Sequence, residues 1–402
     1  MKKRKKWKAL LIAAILGGIV GFICWAFLAL MGAGLYLFWE FIPAKIYSPY
    51  YPIVICMIGG FIIGALHKKY GDYPEKTETI LKQIKEKDKP NYDNLPQVTI
   101  MSLLPLIFGG SLGPEAALTG MIAKLCTWVS DKFKFLGKEV KEVSQLGFAA
   151  ALGIIFRSPL YAFVNDVEGQ EEMTIPKNSK VIIYFVTILS GFGIFLLLQN
   201  IYSGLDGLAH FTELTITNTE RIWFLPLVLV GTLAGLCSYL FEKIARKVVH
   251  PVRKYPIIKA IMGGFVLGLI GIFLPYTMFS GEAEMGKMML VWDTMTFGIL
   301  LVLSLAKLFV TNLCIQTGWK GGNIFPVIFA GVTLGYAFAT ILPIDPVYSV
   351  MVVTTALVSA VMRKPIAVVM LLMLCFPTEG MITMVVAAII ASAIPLPKGL
   401  AK

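Results

Sequence analysis

The chain alternates long stretches without a single charge with short, strongly basic clusters. Residues 9–39 form an uncharged run of 31, 46–66 one of 21, 181–205 one of 25, 222–241 one of 20 and 260–281 one of 22. A helix needs about 20 apolar residues to cross the hydrocarbon core of a bilayer. The pattern therefore predicts an all-α polytopic membrane protein. Shorter or punctured apolar stretches at 116–123, 143–156, 158–165, 294–306 and 308–319 read as tilted, partial or re-entrant helices. The opening MKKRKKWK precedes an apolar run about twice as long as the core of a secretory signal, roughly 7–15 residues. It is expected to remain as the first membrane helix.

The apolar pattern also repeats. YPIVICMIGGFIIGAL at 51–66 and YPIIKAIMGGFVLGLI at 255–270 share seven identities in sixteen positions. GGSLGP at 109–114 pairs with GGNIFP at 321–326, and FRSPL at 156–160 with MRKPI at 362–366. Three matches in one order, offset by 204, 212 and 206 residues, predict two copies of one unit. One transmembrane domain, 1–402, would hold a first repeat at 9–175, a connecting helix and external loop at 176–221, and a second repeat at 222–397. Basic residues collect on the cytoplasmic side of membrane helices. The segment at 51 ends at His67, Lys68 and Lys69, whereas its copy at 255 begins just after Lys243, Arg246, Lys247, Arg253 and Lys254. The copies should run in opposite directions, an inverted-topology repeat whose site lies between them near the midplane. The same rule places the N-terminus in the cytoplasm of a multi-pass plasma-membrane protein and the loop with Asp206, Glu213 and Glu220 outside. The polar stretch 74–93 reads as a solvated cytoplasmic helix and linker.

The glycine-proline breaks carry the candidate chemistry. Backbone amides are not left bare in hydrocarbon, so a broken helix belongs inside protein or along a wet cavity. In GGSLGPEAALTG (109–120) the glycines permit a tight turn and Pro114 suits the first turn of the next helix. GGNIF before Pro326 repeats the design. Two helix N-termini aimed at one place favour an anion through free N–H groups and the helix dipole. The candidate anion-binding residues are Gly110, Ser111, Leu112, Gly113, Gly322, Asn323, Ile324 and Phe325. The pairs Gly17/Gly21, Gly60/Gly64, Gly231/Gly235 and Gly264/Gly268, at four-residue spacing, read instead as close helix packing.

Acids and bases within the apolar segments have two readings each. Glu115 is either a first-turn acid stabilised by the dipole or a gate or proton carrier, and Glu168 is the second candidate proton carrier. Lys124 and Lys307 either snorkel or pair with an acid, or lend positive field to an anion vestibule. Glu282 and Glu284 are expected to cap a helix.

Composition narrows the function. The chain is 57% hydrophobic and 15% charged, against about a quarter charged in soluble domains. Its net charge of +12 is confined to clusters at helix ends, which argues for membrane topology rather than nucleic acid. The six cysteines lie at unrelated spacings in apolar segments and read as small buried hydrophobes. His67, His210 and His250 lack the neighbours of a metal site. No metal or cofactor is expected, and neither a nucleophile–base pair nor a P-loop lysine is present to suggest an enzyme.

At these motifs the sequence resembles the CLC family of chloride channels and anion/proton antiporters. GGSLGPEAALTG is similar to that family's G-R-E-G-P stretch, residues 306–338 to its G-x-F-x-P region with the helix before it, and LGFAAALGIIFRSPLYAF to its alanine-rich helix ending in N/R-x-P-L. The segments between follow in family order. The resemblance implies two inverted repeats with broken helices and a homodimer with one anion pathway per subunit, without the family's cytosolic nucleotide-binding domains. It also exposes departures. Leu112 stands where the family has its gating glutamate, Gly71 where it has an anion-binding serine, and Gly169, beside Glu168, where it has an internal proton-relay glutamate. No tyrosine follows Tyr348 to match the family's pore tyrosine. Passive conduction of chloride or a similar small anion is the expectation. The alternatives are a proton-coupled antiporter using a displaced carboxylate such as Glu115, and a non-conducting membrane scaffold.

Overall fold

The computed structural model describes residues 2–71, 94–132, 140–168, 178–201 and 208–396, and these are helices joined by turns. In chain order they are α1 (Lys2–Tyr36), α2 (Tyr51–Tyr70), α3 (Leu95–Ile107), α4 (Glu115–Lys132), α5 (Val140–Ile155), α6 (Pro159–Glu168), α7 (Asn178–Gln199) and α8 (Asn218–Val249). Then come α9 (Pro256–Phe273), α10 (Glu282–Val291), α11 (Phe297–Thr317), α12 (Ile324–Ala339), α13 (Pro346–Met362), α14 (Pro365–Leu372) and α15 (Met381–Ala393). Six segments are long and apolar enough to span a bilayer: Leu10–Phe41, Tyr51–Tyr70, Val181–Gln199, Asn218–Val252, Pro256–Phe273 and Phe297–Thr317. Among the described residues the sole β-pairing is an isolated antiparallel bridge.

The chain divides into two compact units that interleave along the sequence. The first comprises Met1–Gly34, Asp72–Leu103 and Pro114–Leu205, the second Leu35–Gly71, Leu104–Gly113 and Asp206–Lys402.

In the first unit, small residues set the helix spacing. A Cβ on Gly17 of α1 would stand 2.1 Å from the Thr187 carbonyl oxygen of α7, and one on Gly21 2.2 Å from that of Gly191. Neither position tolerates a side chain, so the four-residue glycine pair serves packing. Helix α4 runs on through Lys124 to Lys132 rather than stopping at residue 123 as the charge pattern suggested. Lysine is a good helix former, and a buried charge concerns the side chain, not the backbone. Helix α5 ends on Arg157, a non-glycine residue at φ 51°. Ser158 Oγ then accepts from the Tyr161 amide at 3.2 Å at the start of α6.

The second unit repeats that device. Helix α13 ends on Arg363 at φ 58°, and Pro365 opens α14. The matched FRSPL and MRKPI motifs thus share a left-handed arginine before a proline-led helix.

Helices α2 and α9, the two YP segments, pack against each other with reciprocal contacts. A Cβ on Gly60 would lie 2.5 Å from the Ala260 carbonyl oxygen, and one on Gly264 2.2 Å from that of Cys56. Gly64 meets Ile257 Cα at 2.5 Å, and Gly268 meets Ile53 Cα at 2.6 Å. Adding the repeat offset of 204 to one contact gives the other, so a local two-fold relates the pair and the helices run antiparallel. Helix α11 crosses Lys307 without interruption, joining the two short segments, 294–306 and 308–319, that the charge pattern separated. Helix α8 starts on a capping box, in which Thr217 accepts from the Thr219 amide and Glu220 Oε2 accepts from the Thr217 amide at 2.8 Å. Glu220 Oε1 also accepts from the Asp345 amide at 3.1 Å, tying the starts of α8 and α13.

Candidate functional site

Both glycine breaks, residues 109–113 and 321–325, lie in the second unit, and they meet. The Gly113 amide donates to the Gly322 carbonyl and the Gly322 amide to the Gly113 carbonyl, each at 2.8 Å. Leu112, fully buried, packs beside them. A Cβ on Gly321 would stand 2.7 Å from Leu112 Cβ, so glycine at 321 is what admits the leucine.

The first break is the unwound end of α3. Its last carbonyls lose their helical partners, and each finds another donor. Pro105 O accepts from the Gly110 amide at 2.9 Å, Leu106 O from Gly109 at 3.3 Å, Gly109 O from Phe279 at 3.2 Å and Gly110 O from Leu112 at 2.8 Å. Side chains supply the rest: Trp39 Nε1 donates to Ile107 O at 2.9 Å and the Cys56 thiol to Phe108 O at 3.4 Å. Each carbonyl from Pro105 to Gly110 therefore has a donor. Gly109 sits at φ 84°, where glycine alone is unstrained. Phe279 stands opposite at φ 59°, its ring edge-on to Trp39 with centroids 5.0 Å apart.

Helix α11 braces this turn with one polar face. Lys307 Nζ donates to the carbonyls of Met278 (2.8 Å), Phe279 (2.9 Å) and Tyr276 (3.4 Å). One turn on, Thr311 Oγ1 donates to Lys307 O at 2.8 Å and lies 2.9 Å from Ser111 Oγ. Cys314 follows, its thiol facing the Ser111 amide. Ser304, one turn before Lys307, donates to Ala330 O of α12 at 2.7 Å. These four residues are almost wholly buried.

The amides expected to line the site divide into two sets. Those of Gly110, Leu112, Gly113 and Gly322 donate to carbonyls of the breaks themselves, and that of Ser111 faces a sulfur; their role is shape. Asn323 differs. It opens α12 without a side-chain cap, and its amide has no partner among the described residues. Pro326, third in the helix, removes another donor from that turn. Ile324 is half-buried and Phe325 fully buried.

The two candidate carboxylates belong to the first unit. Pro114 O accepts from the Leu118 amide at 2.9 Å, so the proline caps α4 and Glu115 is its first residue. Glu115 is 3% exposed and close enough to the buried Tyr161 to interact with its hydroxyl electrostatically. Glu168 ends α6 and is half-buried. Glu284 caps α10 as expected, accepting from the Gly281 amide at 3.1 Å. Gly71 closes α2 at φ 99°. Gly169, Asp206 and the stretch 74–93 lie outside the described residues.

Sequence reasoning passed over Trp39, Phe279, Thr311 and Cys314. The signal that could have found two of them is the spacing Ser304, Lys307, Thr311 and Cys314, a polar stripe along an otherwise apolar helix.

Among the described residues, interrupted helices and paired glycine breaks in a helical membrane architecture define a membrane-transport fold of inverted-repeat type. The sequence profile of the family described as "Voltage gated chloride channel" matches residues 59–395. The chain belongs to that family. Among curated relatives it is 24% identical over 306 residues to the "Putative ion-transport protein YfeO" of Salmonella paratyphi A, covering 74% of this chain and 72% of that one. It is 26% identical over 259 residues to the protein of the same name from Escherichia coli (strain SMS-3-5 / SECEC), covering 63% and 59%. Two solved structures share the fold. One, described as a CLC-type fluoride/proton antiporter, matches with a TM-score of 0.75 and 18% identity, covering 96% of this chain and 95% of that one. The other, a slow cyanobacterial Cl-/H+ antiporter, matches with a TM-score of 0.74 and 17% identity, covering 96% and 94%.

Proposed function

We propose that the protein conducts chloride or a similar small inorganic anion passively across the plasma membrane. It acts as a homodimer with one pathway in each subunit and its N-terminus in the cytoplasm. The pathway passes the paired breaks, where residues 110–113 and Gly322 give the shape and the Asn323 amide a donor. One observation carries this reading: α12 begins at an Asn323 amide with no acceptor among the described residues, while the carbonyls of residues 105–110 in the facing turn each have a donor. A spare amide at a helix N-terminus suits an anion. Leu112 cannot carry a proton, so the position that would couple anion to proton in the family pattern is silent.

A second reading follows from the burial of Glu115 beside Tyr161: that carboxylate, with Glu168, would move a proton against the anion. The two are separated by anion efflux from liposomes holding the purified protein, with valinomycin present and external pH recorded. Passive conduction predicts chloride efflux without proton movement, unaffected by a protonophore. Protons driven uphill by a chloride gradient would establish the exchanger instead. No flux of chloride, nitrate or fluoride would leave a membrane scaffold.

A further inference from the structure

A lysine buried in a membrane helix needs its charge accounted for. Lys307 is 0% exposed, and the three groups that Nζ meets, the carbonyls of Tyr276, Met278 and Phe279, are all acceptors. Three acceptors call for three protons, which only the ammonium form supplies. The Phe329 ring, its centroid 5.1 Å from Nζ, adds a cation–π contact. None of these groups carries negative charge. Among the described residues Glu284 is the one carboxylate whose field reaches Lys307, and its Oε2 is occupied with the Gly281 amide. The positive charge is therefore fixed in place and only partly offset. Phe279 relays its position, since its carbonyl holds the ammonium and its amide holds Gly109 O at 3.2 Å.

We infer that Lys307 sets the anion affinity of the paired glycine breaks, supplying from behind the first break the fixed positive charge that the backbone donors lack. The inference rests on the anion-transport reading above. It assigns Lys307 a positioning and electrostatic role without contact to the ion. A cation at this depth is costly unless it works for the pathway, and a dry surrounding lets its field reach farther than in water.

The test is chloride binding to the purified full-length protein by isothermal titration calorimetry, with flux in liposomes measured in parallel. Lys307→Met should weaken chloride binding about tenfold, the size expected for one charge about 10 Å away at an intermediate dielectric. Lys307→Arg keeps the charge and should stay within about threefold. Glu284→Gln keeps an oxygen for the Gly281 amide while removing the opposing charge, and should tighten binding about threefold. A merely structural lysine would not respond to Glu284→Gln. If Lys307→Met fails to fold, the Glu284→Gln result decides alone. Unchanged binding in Lys307→Met, or weaker binding in Glu284→Gln, overturns the inference and leaves conduction standing. Wild-type binding without flux removes conduction, and the inference is then judged on binding. No wild-type chloride binding overturns both.

Discussion

The two glycine breaks share a motif and divide its labour. The first is clamped, with a strained residue set against it. Gly109 lies at φ 84° against Phe279 at φ 59°, and Trp39, Cys56 and the Ser111–Thr311 contact hold it from outside. In the second, neither Gly321 nor Gly322 has a positive φ, and α12 starts without a side-chain cap. Backbone strain survives only where its surroundings over-determine it, and here those surroundings are built around one break. Duplicated sequence has thus produced one break that fixes shape and one that keeps a donor spare.

The comparison breaks first at Gly109. A Cβ there would lie 2.5 Å from Trp39 Cζ2 and 2.9 Å from Met278 Cε, at a φ that L-residues avoid. Gly109→Ala should cost about 1–3 kcal/mol of stability and reduce anion flux at least about tenfold, because small misplacements cost that much in preorganised sites. Thermal unfolding in detergent and liposome efflux check the two effects separately. Equal losses from Gly109→Ala and Gly321→Ala would remove the asymmetry.

Gly321→Ala should be the milder change, since its φ is unstrained and its closest contact is the Leu112 side chain, Cβ to Cβ at 2.7 Å, with the Gly113 carbonyl oxygen next at 3.2 Å. That makes the loss repairable. Adding Leu112→Gly, which removes that Cβ, to Gly321→Ala should recover about 1 kcal/mol or more relative to the sum of the single changes, a coupling of the size seen for residues in direct contact. Gly109→Ala should gain nothing from Leu112→Gly. A cycle that adds without coupling would mean that leucine and glycine do not share the space.

What was legible in the sequence follows the reach of each signal. Helix packing of α2 on α9 was readable because glycines four apart with a matched copy 204 residues on leave few other uses. The turns at Arg157 and Arg363 could be paired by motif, and proline told where the next helix begins. Lys124 and Lys307 misled the reading of helix ends, because a charge in an apolar run looks like a boundary until its partners are known. The partners are distant in sequence: Lys307 bonds carbonyls 28 to 31 residues away, and Trp39 a carbonyl 68 residues away. The breaks themselves were visible, but which amides they would spend on each other was not. Local pattern gives no pairing of Gly113 with Gly322.

The smallest expected effect concerns Ser111, the one hydroxyl in the first break and by position a tempting anion donor. Its geometry argues otherwise. Thr311 has a single hydroxyl proton, and it goes to Lys307 O at 2.8 Å, as a helical threonine commonly bonds the preceding turn. The 2.9 Å contact between the two side chains then requires Ser111 to be the donor. Its proton is committed to Thr311 and cannot face an anion. Ser111→Ala should cost about 1 kcal/mol of stability, the net value of one hydrogen bond, and leave chloride binding and flux within about twofold of wild type. Thr311→Val, which removes the acceptor and frees the Ser111 proton, should change anion binding more than Ser111→Ala does. A tenfold loss of flux in Ser111→Ala would show that the hydroxyl turns to the ion during transport, and would move part of the donor role from the second break to the first.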